Sequence, residues 1–291
     1  MSDETVTIEK LPVGILGAGV MGKQLALLFA AHGFPVVLWN RRRHETLDHD
    51  LSRLAATEAR RGLFAKEDTE GVLARIEFSE SLSSLASCNL LIEAVSENPE
   101  IKKALLCEVN GIVNETALVA TNSSTLSITE LATCMDRPGQ FLGLHFFNPP
   151  GAMKLVEVIK GEWTSDETIS AAVALAHQLE REPHVMPESP GFIVNRILFP
   201  MLNEAIFVMS EGVADAATVD TCMKLGLNHP MGPLELADYI GLDVCLSILE
   251  TLYDETGDPK YRPAPLLKKY VRAGKLGRKS GMGFYPYRKK S

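Results

Sequence analysis

The hexapeptide Gly17-Ala18-Gly19-Val20-Met21-Gly22 constrains this chain more than any other stretch, because of what stands on either side of it. Residues 13–16 before it form a short apolar run of strand type. After it, Leu25, Leu28 and Phe29 recur at helical spacing, and Gly33 is placed to stop the helix. Residues 34–39 (F-P-V-V-L-W) read as the next strand. Strand, glycine turn, helix and strand within about thirty residues are the setting in which G-x-G-x-x-G binds a dinucleotide. Gly17 permits the tight turn. Gly19 lets the backbone approach a pyrophosphate resting on the helix N-terminus, and Gly22 lets helix and strand pack closely. The competing reading is an ordinary glycine-rich turn between a strand and a helix.

Composition limits what such a unit can serve. With 291 residues, 46% of them hydrophobic, the chain is globular and long enough for one large or two medium domains. A net charge of −8 and a pI near 5.5 argue against nucleic acid as a partner. The first residues, Met1-Ser2-Asp3-Glu4-Thr5, are polar and acidic, and no apolar run approaches the roughly 18 residues of a membrane span. A soluble, cytoplasmic protein without membrane association is expected. The five cysteines are scattered and form no C-x-x-C, so they read as thiols of a reducing compartment. The histidines include no H-E-x-x-H, and no metal is expected.

The second strand ends in Asn40-Arg41-Arg42-Arg43, where a dinucleotide site ordinarily carries an acid for the adenine ribose. Asn40 removes the like charge that repels a 2′-phosphate, and the Arg41 guanidinium can bind one in two-pronged fashion. NADP is therefore expected, with NAD the alternative if the arginines only face water. Residues 44–74 read as two helices that turn at Arg60-Arg61-Gly62. Further strands are expected at 75–78, 90–95 and 116–121. Asn98-Pro99 starts a helix carrying Lys102 and Lys103, and Ser127 to Glu130 fits a capping box. Ser124 then lies in a loop beyond the carboxyl end of a strand, where open α/β sheets bind ligands. A local turn-forming hydroxyl is the plainer account of it.

Residues 141–159 (F-L-G-L-H-F-F-N-P-P-G-A-M-K-L-V-E-V-I) hold the candidate chemistry. The apolar run 141–147 has one titratable group, His145. After the Asn148-Pro149-Pro150-Gly151 turn, alternation puts Met153, Leu155, Glu157 and Ile159 on one face. A carboxylate among apolar neighbours needs a partner, and His145 is the nearest candidate. A carboxylate that fixes one ring nitrogen leaves the other free to act as a general base. The alternative is two unrelated core residues, each satisfied by backbone.

Three prolines within residues 182–191 mark a boundary, and beyond it the pattern turns helical. Residues 192–209 are apolar nearly all round, which implies burial by their own domain and a second subunit. Asn195 is the polar exception near the start. Two domains are expected, a Rossmann-like α/β domain over 1–187 and an all-helical domain over 188–291.

With these residues placed, the chain resembles the short 3-hydroxyacyl-CoA dehydrogenases over nearly its whole length. The most specific matches are residues 143–149 (G-L-H-F-F-N-P), 153–159, 190–198 (P-G-F-I-V-N-R-I-L), 228–236 (N-H-P-M-G-P-L-E-L) and 277–285 (G-R-K-S-G-M-G-F-Y). The resemblance implies reversible oxidation of a 3-hydroxyacyl thioester, an acyl-CoA of the 3-hydroxybutyryl type, by a homodimer joined through the helical domain. It implies that His145 takes the hydroxyl proton, that Glu157 orients His145, and that Ser124 and Asn195 hold the reacting oxygen and the thioester. Cofactor contacts are implied at Gly17, Gly19, Gly22, Glu97, Lys102 and Lys279. Three positions depart from the family pattern. Asn40 stands for an acid, Leu63 for a lysine that grips CoA, and Pro150-Gly151-Ala152 for A-P-V. The second leaves an acyl group on acyl carrier protein as an alternative substrate. A nucleotide-binding structural or sensor protein without turnover is the reading from another class.

Overall fold

The computed structural model describes residues 10–287; the polar N-terminal residues discussed above lie outside that range. The chain divides into two compact units that part between Ser189 and Pro190.

The first unit is built on one sheet. β1 (Val13–Leu16), α1 (Val20–Ala31) and β2 (Val36–Trp39) form the βαβ unit read from the glycine pattern. α2 (Leu47–Arg60) and α3 (Thr69–Ala74) precede β3 (Ile76–Ser79), and β4 (Leu90–Glu93) leads into α4 (Pro99–Asn110). β5 (Leu118–Thr121), α5 (Ile128–Ala132), β6 (Phe141–Phe146), β7 (Leu155–Lys160), α6 (Asp166–Gln178) and β8 (Glu182–Pro187) complete the unit. The strand order is β3-β2-β1-β4-β5-β6-β7-β8. β1 to β6 run parallel, β7 turns back antiparallel to β6, and β8 pairs parallel with β7. The chain reverses direction across the sheet between β1 and β4, the switch point at which such sheets open a crevice. The central strands read as continuous apolar runs because helices cover both faces. Ile15, Leu25, Leu28, Phe29, Leu38 and Ile92 close the core between sheet and helices.

The sequence places a boundary at the prolines of 182–191, whereas Glu182–Pro187 is a strand. Its position explains the tolerance. β8 has a neighbour on one side only, and proline, which cannot donate to a ladder, is admitted at sheet edges.

The second unit is helical: α7 (Val194–Ser210), α8 (Ala216–Leu227), α9 (Pro233–Ile240), α10 (Leu242–Thr256) and α11 (Pro265–Arg272). Phe199, Leu202, Ile206, Leu234, Leu249 and Leu252 form its core. α7 is not buried on every side, contrary to its apolar composition, since Ile197 is 68% exposed. Asn203 is a second buried amide in α7. It donates to the Arg262 carbonyl and accepts from the Ala264 N–H, tying the helix to the segment before α11. No helix among the described residues is long and apolar enough to cross a membrane.

Candidate active site

The glycine turn opens the first half of the site. A side chain on Gly22 would stand 1.7 Å from the Gly17 carbonyl oxygen, so only glycine lets α1 seat this close to the turn. Gly19 is different: nothing lies within 4 Å of where its Cβ would be. Gly19 is also the N-cap of α1, with no side-chain cap and no acidic residue in the first helical turn. Free helix-end N–H groups facing open space suit a phosphate. A cleft of ≈ 310 Å³ continues from there, lined by Gly17, Gly19, Trp39, Asn40, Arg41 and the 94–96 loop, among others. These residues fit a dinucleotide. Asn40 donates to the Arg42 carbonyl at 2.8 Å, and Arg41 pairs with Glu108 at 3.2 Å, both side chains exposed. Arg43 is committed elsewhere, gripping both oxygens of Asp48.

The second half lies at the carboxyl ends of β4, β5 and β6. The antiparallel register sets His145 opposite Glu157, and Nδ1 meets the Glu157 carboxylate at 2.7 Å in a buried pair. With that proton given to Glu157, Nε2 is the acceptor, and the Ser124 hydroxyl donates to it at 3.1 Å. Ser124 belongs to the loop after β5. That loop is held by Glu97, which accepts from the Ser124 N–H at 2.8 Å, the Thr125 N–H at 3.2 Å and the Ser123 hydroxyl at 2.5 Å. Burial pushes the Glu97 carboxyl up. The neighbouring Lys102 charge and these hydrogen bonds outweigh it and leave Glu97 below the usual carboxylate range.

Serine, histidine and glutamate at these distances have the connectivity of a nucleophile triad. An acyl-transfer site also needs N–H donors for an oxyanion. The two N–H groups beside Ser124 are given to Glu97 and would set a negative charge where the oxyanion must form. These N–H groups therefore make no oxyanion site, and Ser124 stands as a hydrogen-bonding group at Nε2.

Lys102 is buried between Glu97, at 3.2 Å, and both oxygens of Glu93, at 2.8 Å each. Lys279 lies in the second unit, paired with Asp243 of α10. Asn195, also in the second unit, is buried in the first turn of α7. Leu63 and Gly151, two of the departures noted above, are neighbours. A Cβ on Gly151 would meet Leu63 Cδ2 at 3.3 Å and Glu58 Oε2 at 2.4 Å. Glu58 in turn pairs with Arg61 at 2.6 Å, so that arginine is engaged within its own helix end.

Sequence reasoning passed over Glu93, Thr121, Ser123 and Thr125. For Glu93 a signal was present: an acid inside the apolar run L-L-I-E-A-V, the same anomaly that marks His145 and Glu157.

A dinucleotide-binding sheet with an oriented imidazole near the carboxyl end of β6 defines a nicotinamide-dependent oxidoreductase. Residues 12–189 match the model of the 3-hydroxyacyl-CoA dehydrogenase NAD-binding domain, and residues 191–287 match that of the 3-hydroxyacyl-CoA dehydrogenase C-terminal domain. The chain belongs to the 3-hydroxyacyl-CoA dehydrogenase family. It is 48% identical to a probable 3-hydroxybutyryl-CoA dehydrogenase of Deinococcus radiodurans over 94% of this chain and 99% of that one. A 3-hydroxybutyryl-CoA dehydrogenase of Bradyrhizobium diazoefficiens is 46% identical over 95% of each chain. Among solved structures, (S)-3-hydroxybutyryl-CoA dehydrogenase from Ralstonia eutropha superimposes with a TM-score of 0.90 at 45% identity, covering 96% of this chain and 99% of that one.

Proposed function

We propose that this chain interconverts a short 3-hydroxyacyl-CoA and its 3-oxoacyl-CoA, with substrates of the 3-hydroxybutyryl-CoA type. The observation that carries the reading is His145, held at Nδ1 by Glu157 with Nε2 beside the Ser124 hydroxyl. In the oxidative direction Nε2 takes the 3-hydroxyl proton. The buried Glu157 carboxylate balances the imidazolium that results. Ser124 and the Asn195 amide are assigned to the reacting oxygen and the thioester. A bound nicotinamide supplies the two-electron acceptor and donor. Gly17, Gly19 and Gly22 would take its pyrophosphate, Asn40 and Arg41 its adenosine end, and Glu97 with Lys102 the nicotinamide side. Lys279 would have to exchange Asp243 for a cofactor group.

NADP is the form we assign. β2 ends without an acid, Asn40 and Arg41 line the cleft, and among the described residues Arg41 is held by an exposed ion pair with Glu108 that a 2′-phosphate can replace. The test of the whole reading is NADPH and NADH consumption with acetoacetyl-CoA, beside the same acyl group on acyl carrier protein. Turnover faster with the CoA thioester is expected. Faster turnover on the carrier protein would transfer the assignment to that substrate, and none with either would leave a nucleotide-binding protein.

A further inference from the structure

Glu93 is 0% exposed at the end of β4, next to the switch point, and neither of its oxygens is idle. Oε1 accepts from the Val95 N–H at 2.7 Å and from Lys102 at 2.8 Å. Oε2 accepts from the same ammonium at 2.8 Å and from the Thr121 hydroxyl at 2.7 Å. Thr121 in turn accepts from the Ser123 N–H at 3.1 Å. One buried carboxylate thus ties together the cleft-lining loop after β4, the end of β5 with the loop that carries Ser124, and α4 through Lys102.

A charge this deep is retained only where it is fully paired. Lys102 is as buried, at 1% exposed, and spans from Glu93 to Glu97. Its ammonium is shared between two carboxylates, and the share that Glu93 takes fixes how far it leans toward Glu97. Glu97 in turn fixes the N–H groups of Ser124 and Thr125. We infer that Glu93 is a positioning residue for the dehydrogenase reaction, setting Ser124 against His145 through Lys102 and Glu97. It touches neither substrate nor cofactor. This inference rests on the proposed dehydrogenase reading.

The experiment starts from parent turnover with acetoacetyl-CoA, so failure of that reading shows before any variant is made. Glu93→Gln keeps the shape and removes the charge, leaving Lys102 to lean on Glu97 alone. Displacement of a reacting group by about an ångström costs up to about a hundredfold, so kcat should fall by about tenfold to a hundredfold. KM for the thioester should stay within about threefold, because its binding contacts are untouched. Lys102→Met, measured at saturating cofactor, should lower kcat at least as much, and the double variant should lose no more than Lys102→Met alone, because Glu93 acts through Lys102. A residue that merely supports the fold gives another pattern: a lower melting temperature, unchanged kcat per folded molecule in Glu93→Gln, and a double variant no slower than Lys102→Met while Glu93→Gln alone keeps the parent kcat. Any of the last two would overturn the inference. If Glu93→Gln does not fold, Thr121→Val carries the test; a severalfold fall in kcat supports the inference and an unchanged kcat overturns it.

Discussion

At the scale of single residues, the pair His145–Glu157 is where we propose the chemistry lies, and its removal is the first prediction. A positioned general base contributes on the order of 10²–10⁴-fold. His145→Gln should lower kcat by that order while cofactor affinity, read by NAD(P)H fluorescence, stays nearly unchanged. Glu157→Gln should lower kcat substantially too, since it removes the charge that balances the imidazolium. Retention of most activity in His145→Gln would exclude His145 as the base. These two residues were legible because a titratable group inside an apolar strand run must find a partner, and each was the other's nearest candidate along the chain. Lys102 was not legible in the same way. Nothing in its surroundings along the chain shows that it folds inward onto Glu93, nine positions back and on another element. Cofactor choice is the second prediction at this scale. One charge-assisted contact to a 2′-phosphate is worth about 1.5–3 kcal/mol, or about tenfold to a hundredfold in kcat/KM for NADPH over NADH. Exposure of Arg41 and competition from Glu108 pull the preference to the low end. Both cofactors should be compared at one ionic strength in the parent and in Asn40→Asp/Arg41→Ala. NADPH should lead in the parent and the order should reverse in the variant. A parent that favours NADH would exclude the assignment.

Elements were read best where a local signal fixes them. Asn98 caps α4 with Pro99 at its first position, and Ser127 caps α5 by accepting from the Glu130 N–H. β8 was missed because its prolines are a local signal for a break, while its place at the sheet edge is a tertiary fact. The tail after α11 is the opposite case, a glycine pattern that local rules leave unexplained and packing makes plain. Asp238 of α9 accepts from the Phe284 and Tyr285 N–H groups and from the Tyr287 hydroxyl. A Cβ on Gly283 would stand 1.9 Å from the Asp238 Oδ1 atom, and one on Gly277 2.3 Å from the Asp238 carbonyl oxygen. Removing the carboxylate leaves two backbone N–H groups without an acceptor, at about 1–3 kcal/mol each when buried. Because the tail reaches water, Asp238→Ala should cost about 2–4 kcal/mol in all, read by urea unfolding. Burial holds the Asp238 carboxyl above the usual range, with neighbouring Asp220 adding to the rise against the opposing hydrogen bonds. The folded chain therefore binds this proton more tightly than the unfolded chain. The stability it contributes is full below the ordinary Asp value, falls as pH rises toward the raised value, and is level above it. The gap between parent and Asp238→Ala should accordingly narrow from acid to neutral pH. A gap that widened would contradict the environment described for this carboxylate.

For the whole molecule, the second unit carries several large apolar side chains that a single copy leaves exposed. Leu225 and Leu227 on α8 are 84% and 62% exposed, Val213 before it 72%, and Ile197 on α7 68%. Single apolar side chains on a surface are ordinary, and it is their number on one helical unit that suits a protein contact. The composition of residues 192–209 calls for burial that one copy of the chain does not provide. A second copy is the occupant we propose, joined through the helical unit, in line with the commonest symmetric dimer. Light scattering should give a molar mass of about twice 31.8 kDa. The mass should change little between low and high salt, because an apolar contact is not screened as an ion pair is. Ile197→Glu/Leu225→Glu would bury unpaired carboxylates in such a contact and should shift the mass toward 31.8 kDa at low protein concentration. Circular dichroism should show the helices intact, because both positions face solvent in the single chain. A parent that runs as a monomer at every concentration would exclude the dimer. A variant that stays dimeric would place the contact on another surface of the chain.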